Sequence, residues 1–202
     1  MIERMSEEER RIVEKIENIA RKLYPPFGTH GWDHVQRVCN LSIEIAEKEK
    51  EAIEEFPLLL SCLLHDIARV KEGGDHALES SEVAKELLIC LNVKDEVIGK
   101  VVDAVSSHSY SAGRIPTTPE GRVLSDADKI DALGAIGVAR VFEYSGANGR
   151  SLDESIAHFR DKILKLPELM LTEEGRKIAR ERALFVEEFL RKLEAEIRET
   201  AK

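Results

Sequence analysis

Five of the six histidines, at positions 30, 34, 65, 76 and 108, precede the C-terminal third of the chain, and three adjoin carboxylates, in Asp33-His34, His65-Asp66 and Asp75-His76. The second pair ends the apolar run Pro57-Leu58-Leu59-Leu60-Ser61-Cys62-Leu63-Leu64, which is too short to span a bilayer and too apolar for a solvated helix face. A buried ionised carboxylate beside an imidazole is costly unless something compensates it, and a cation is the usual compensation. An isolated His-Asp pair reads first as a core histidine bonded to its neighbour. The other histidines reverse that reading. His34 shares a helical stripe with Val38, Leu41 and Ile45, His76 opens the stripe Ser80, Ala84, Leu87 and Leu91, and His108 closes the face of Val97, Val101 and Val105. His34, His65, Asp66 and Asp128, from three expected helices, supply two nitrogens and two carboxylates. That mixture suits Mn2+, Fe2+, Ni2+, Zn2+ or Mg2+ without selecting among them.

The elements that must position these groups are helices throughout. Ser6-x-x-Glu9 is a capping-box pattern ahead of Ile12, Ile16, Ile19 and Leu23, and Pro25-Pro26-Phe27-Gly28 ends that helix. A second helix runs from near Gly31 to about Lys50, and a third carries Pro57 in its first turn and His65-Asp66 at its end. Glu72-Gly73-Gly74-Asp75 reads as a turn with Asp75 as N-cap of the fourth, and Asn92 as the cap of the fifth. The polar stretch from Ser109 to Thr118 is expected to be a mobile loop near the site, because His108 leads into it. Thr118-Pro119-Glu120 opens a helix through Asp126, Asp128 and Asp131, Ser151-x-x-Glu154 caps another, and Thr172 starts a last long helix with Phe185, Phe189, Leu193 and Ile197 as its core stripe. With no useful strand pattern and no repeat, the expected fold class is all-α. Residues 1–202 are expected to form one domain, with the metal-site core at about 28–145 and helices over 151–200 packing on it.

Composition narrows the function. The 202 residues carry 39 acidic and 30 basic side chains, a net charge of −9, which argues against holding a nucleic-acid polymer by its phosphates. Cys39, Cys62 and Cys90 each lie among apolar residues and read as reduced core cysteines. No apolar signal core or membrane-spanning run is present, so the expectation is a cytoplasmic protein without a membrane partner.

Trp32-Asp33-His34-Val35-Gln36-Arg37-Val38, then Leu63-Leu64-His65-Asp66-Ile67, then Asp126-Ala127-Asp128-Lys129-Ile130-Asp131 resemble the motifs of the HD-domain metal-dependent phosphohydrolases, in a small stand-alone branch. The likeness extends through Asp131-Ala132-Leu133-Gly134-Ala135-Ile136-Gly137-Val138-Ala139-Arg140 toward the tail. The resemblance implies a helical fold in which His34, His65, Asp66 and Asp128, each on a helix, bind one divalent ion, with manganese the expected metal. Asp126 and Asp131 are the rivals for the fourth position, and the Ala-Asp-Lys spelling favours Asp128. Some members hold a second ion with two further histidines, and His76 and His108 stand where those would fall; contact with substrate is the other reading.

The implied chemistry is attack of an activated water on phosphorus, with Asp66 orienting the water. Arg37, Lys129 and Arg140 are the candidate phosphate holders, with Arg37 foremost and Arg69 a further candidate, and His30, His76 and His108 are expected to face substrate. His30-x-x-x-His34 is not a protease zinc motif, because Gly31 stands where the general-base glutamate belongs. His158 and Lys162, four apart, read as an ordinary surface or packing pair. The expected reaction is hydrolysis of a (deoxy)nucleoside triphosphate to monophosphate and pyrophosphate. A monophosphate phosphatase, a cyclic-nucleotide phosphodiesterase and a non-catalytic metal-bound sensing module are the alternatives. Homodimer formation is compatible with all of them.

Overall fold

Helix starts follow the capping chemistry written in the sequence. In this computed structural model, which describes residues 2–69, 74–109 and 113–200, the Ser6 hydroxyl accepts from Glu9 N at 3.3 Å while the Glu9 carboxylate accepts from Ser6 N at 2.7 Å. Ser151 repeats this reciprocal cap with Glu154, while Asp75 and Thr118 each accept one backbone N–H, with Pro119 pre-set in the first turn after Thr118. The elements are α1 (Glu7–Leu23), α2 (Trp32–Lys48), α3 (Glu55–Leu64), α4 (His76–Cys90), α5 (Asp95–Ser107), α6 (Pro119–Ile130), α7 (Gly134–Ala147), α8 (Leu152–Asp161), a 3-10 helix (Ile163–Leu169) and α9 (Glu173–Thr200). The fold is all-α, as expected. The small departure is a parallel pair of two-residue strands, β1 (Ile2–Glu3) and β2 (Ile53–Glu54), too short for any alternation to register.

At the centre α3 and α6 touch each other, and α2 and α5 both lie against that pair. One apolar cluster, holding Ile16, Val35, Leu60, Leu64 and Val101, joins α1, α4 and α5 to the centre; a second, holding Leu58, Leu124, Ile130, Phe159 and Val186, joins the helices after α6. Helices α2, α3 and α5 contribute to both clusters, so the residues between them are held from two sides.

Four expectations are corrected. Asn92 does not cap α5: it adopts a left-handed φ of 54° and closes the turn after α4, while α5 begins at Asp95. His65 and Asp66 lie past the last residue of α3, in a turn. Cys90 is exposed, although Cys62 is buried and Cys39 half-buried. Phe185 is 49% exposed, because it sits beside the inward face of α9 that Phe189 and Leu193 share. Part of the turn expected at Glu72–Asp75 and part of the loop after His108 lie outside the described residues.

Candidate metal centre

Helix ends bring the histidines together. His34 is the third residue of α2, His76 the first of α4, His108 follows the last residue of α5, and His65 follows the last of α3. Gly31 lets α2 start close to the preceding turn: a Cβ there would lie 2.5 Å from the Phe27 carbonyl carbon. Asp66 is turned inward by its own backbone, whose N–H donates to the Tyr24 hydroxyl at 3.1 Å. The result is a row of five imidazoles, His30, His34, His65, His108 and His76, each edge-on to the next with ring centres 5.1–5.7 Å apart.

Backbone and carboxylate acceptors fix which nitrogens face the centre. His65 Nδ1 donates to Cys62 O at 2.8 Å and His108 Nδ1 to Val105 O at 2.7 Å, so in the neutral rings each Nε2 carries its lone pair inward. His34 Nδ1 meets Asp131 Oδ2 at 2.7 Å, which likewise turns its Nε2 inward. There it lies 3.2 Å from His65 Nε2 and 3.4 Å from Asp128 Oδ1, and His65 Nε2 lies 3.7 Å from Asp66 Oδ2. Two lone pairs and two carboxylates at such spacing require a positive centre among them. Neighbouring ligands of a divalent cation bound at about 2.1 Å stand about 3 Å apart, so His34, His65 and Asp128 fit one, with Asp66 beside His65. Asp66 Oδ1 adds an orphan: it is buried without a hydrogen bond, with His76 and His108 Nε2 at 3.6 Å and Arg69 Nη1 at 3.7 Å.

The ionisation states agree. Burial holds the His65 imidazole down to about 4, so it is neutral at physiological pH. Burial also lowers His34, but the Asp128 and Asp131 carboxylates outweigh it and raise its pKa. Burial works against ionised Asp66 and Asp128, yet the surrounding imidazoles hold both carboxyls well below the usual range. The field that would keep a proton on His34 is the field that attracts a cation. Three groups of candidate ligands share these atoms: His34, His65 and Asp128; His30, His34 and Asp66; His65, Asp66 and His108.

The three acidic residues of the α6 motif part company. Asp126 accepts from Leu171 N, Thr172 N and the Thr172 hydroxyl and so holds the start of α9. Asp131 accepts from His34, from Arg37 Nε at 2.7 Å and from Arg140 Nη1 at 2.6 Å. Only Asp128 joins the candidate ligand groups.

The cluster opens on a cavity of about 510 Å³ walled by His30, Arg69, Asp128, Lys129 and Arg140, and by Tyr144, Arg150, His158 and Lys162 from the C-terminal helices. Arg37 is absent from that wall. Its guanidinium is spread between Asp131 and Asp33, on the side of His34 away from the inward Nε2. Lys129 lines the cavity, but its ammonium is directed to His108 O, Ser125 O and Ser125 Oγ at 3.0, 3.1 and 2.5 Å. Sequence reasoning missed Tyr144, Arg150, His158 and Lys162. Their faint signal was a cluster of basic residues in an acidic chain, read for His158 and Lys162 as surface pairing.

A helical fold, a buried His/Asp cluster and a cation-lined cavity define a metal-dependent phosphohydrolase of the HD superfamily. The HD domain family matches residues 31–133, and the chain belongs to it. YpgQ of Bacillus subtilis (strain 168) is 38% identical over 176 residues, covering 83% of this chain and 84% of that protein. Among solved structures, Bacillus subtilis YpgQ in complex with ADP superposes with a TM-score of 0.78 at 30% identity, over 94% of this chain and 96% of that one. An HD-superfamily hydrolase from Bacillus thuringiensis gives 0.76 at 29%, over 94% and 98%. Among the described residues, no helix is long and apolar enough to cross a membrane.

Proposed function

We propose that this chain hydrolyses (deoxy)nucleoside triphosphates to the monophosphate and pyrophosphate, with manganese held by His34, His65, Asp66 and Asp128. The observation that carries the reading is the opening of the His/Asp cluster onto a cavity of about 510 Å³ with Arg69 and Arg140 on its wall, a volume in the range of small-molecule sites. The ADP bound by Bacillus subtilis YpgQ supports a nucleotide ligand.

An ion held by these residues would supply Lewis acidity and activate water near neutral pH. Everything else falls to the chain. Asp66 keeps one oxygen tied to His30 Nδ1 at 2.8 Å and the other without a partner, which suits it to orient the attacking water. Arg69 and Arg140 face the cavity as cations for the scissile phosphate, while Arg37 and Asp131 fix the ring of His34 from behind. His76 and His108 flank Asp66 and face the substrate or a weaker second ion. We read residues 1–202 as one unit in which the C-terminal helices complete the cavity.

His65→Ala and Asp66→Ala are expected to lose both bound metal and hydrolysis, by elemental analysis and product assay; full metal occupancy in both variants would overturn the ligand assignment. Manganese-loaded protein incubated with nucleoside mono-, di-, tri- and cyclic phosphates, with products separated by ion exchange, tests the reaction. Orthophosphate from monophosphates with triphosphates untouched would make it a nucleotidase, and no turnover would return it to the sensing module.

A further inference from the structure

Helices α4 and α5 form an antiparallel hairpin joined by the turn at 91–94, and its open end carries His76 and His108, with ring centres 5.7 Å apart. The covalent connection is far from them, because α4 is 15 residues long, about 22 Å of helix. Opening the hairpin by about 3° would shift His76 against His108 by about 1 Å. The two imidazoles share Asp66 Oδ1 at 3.6 Å, too far for a hydrogen bond to hold them, and that oxygen has no partner.

Arg114 crosses that open end. Its Nε donates to Ser106 O at 2.7 Å, in the last turn of α5, and its Nη2 donates to both oxygens of Asp75 at 2.8 Å. Ser106 stands two residues before His108, and Asp75 one before His76. Asp75 also caps α4 by accepting from Leu78 N at 3.1 Å. The anion therefore sits at the N-terminus of α4 and the cation at the C-terminus of α5, where each helix dipole favours it. Side chains, not a glycine, satisfy the carbonyls at the exit of α5: Val105 O takes His108 Nδ1, Ser106 O takes Arg114 Nε and His108 O takes Lys129 Nζ. Thr117 and Thr118 tie the same segment down again, their N–H and hydroxyl groups donating to the Asp103 carboxylate. The stretch expected to be mobile is thus pinned from Arg114 to Thr118.

We infer that Arg114 is a positioning residue: by bridging Asp75 and Ser106 O it braces the open end of the α4–α5 hairpin and sets the separation of His76 and His108 beside Asp66. Arg114 belongs neither to the candidate ligand groups nor to the cavity wall, so it acts through the two histidines. The effect on catalysis rests on the proposed nucleotide hydrolysis, in which Asp66 orients the water; the brace itself does not. Imidazoles displaced by about 1 Å beside that carboxylate cost the chemical step and leave substrate binding nearly intact.

Arg114→Gln, Arg114→Lys and Asp75→Ser test the brace, the last keeping a side-chain oxygen to cap α4. Two measurements need no turnover and use protein loaded with one equivalent of diamagnetic zinc: proton shifts of the histidine ring C–H groups, and amide hydrogen exchange. In all three variants the His76 and His108 signals are expected to move while that of His158 stays. Exchange is expected to rise about tenfold in the first turn of α4 and the last of α5, with the 91–94 turn unchanged. On manganese-loaded protein with a deoxynucleoside triphosphate, kcat is expected to fall about 10- to 100-fold and KM to stay within about twofold. Lysine is expected to fail as glutamine does, since an ammonium lacks the fork that spans both anchors. The ion pair is more than a third exposed, so thermal midpoints are expected within about 4 °C of the parent. Unmoved His76 and His108 signals, exchange raised only at 113–118, moved signals with kcat unchanged, or full kcat in Arg114→Lys would overturn the inference. A larger fall of the midpoint in every variant would make Arg114 a fold-stabilising residue and overturn it too. Moved signals and raised exchange, with no nucleotide hydrolysed by the parent, would keep the brace and remove the nucleotide reading.

Discussion

Asp131 is fully buried, and it organises the site without belonging to the candidate ligand set. Burial pushes its carboxyl up, but His34, Arg37 and Arg140 prevail and hold it at about 2. Its charge is thus constant above about pH 4, and it fixes both the orientation and the basicity of His34. The sign of the pH effect follows. His34 has a pKa above its ordinary value, so a metal ion must displace a proton there once the pH drops through that raised pKa, whereas His65, near 4, stays unprotonated. Manganese affinity is therefore expected to fall on acidification from neutrality, by up to about tenfold per pH unit. Asp131→Asn is expected to weaken affinity by about 10- to 100-fold and to move that fall to lower pH, because His34 loses its anionic partner; calorimetric titrations from about pH 5.5 to about 8.5 measure both. Part of this was legible in the sequence: His34, His65 and Asp128 come together, and Asp66 lies beside His65. The separate tasks of Asp126, Asp128 and Asp131 were latent in helix geometry, since residues two apart lie about 200° apart around the axis. What the spacing could not give was which face of α6 met which neighbour.

Helix α6 joins the site to the C-terminal half of the fold. One of its faces presents Asp128 to the histidines; another uses Asp126 to gather the N–H groups of Leu171 and Thr172 at the start of α9. The approach is close enough that a Cβ on Gly175 would stand 2.4 Å from Asp126 Oδ2. Asp126→Asn leaves an amide among donors, with one acceptor lost, and is expected to destabilise by about 1–3 kcal/mol while metal content stays at the parent level. Asp128→Asn is expected to do the reverse, shedding metal; thermal denaturation and elemental analysis on the same preparations separate the two. Element starts were legible wherever a side chain caps the helix, as at Ser6, Asp75, Thr118 and Ser151. Element ends were less so. No glycine or proline marks the end of α3, and the turn that carries Asp66 is held by a tertiary contact with Tyr24 that no local pattern encodes.

Across the whole molecule, periodicity was enough to establish the all-α class, because each helix buries one stripe against a common centre. The cavity was not legible. Its walls draw on residues from Thr29 to Leu166, and basic side chains scattered over such distances leave no spacing to read. The same dispersal has a kinetic consequence. The contacts His34–His65 and His34–Asp131 close loops of 31 and 97 residues, and the entropy of closing them is lost before any ligand pair exists. An ion therefore finds nothing to bind in the early chain and is captured after the inner helices have docked. Chelation is expected to lower the thermal midpoint and speed unfolding while refolding proceeds at an unchanged rate; stopped-flow chevrons with and without manganese measure the two limbs. The metal then acts as a latch on a finished structure and not as its template, and its identity is decided by the ions that the folded chain encounters.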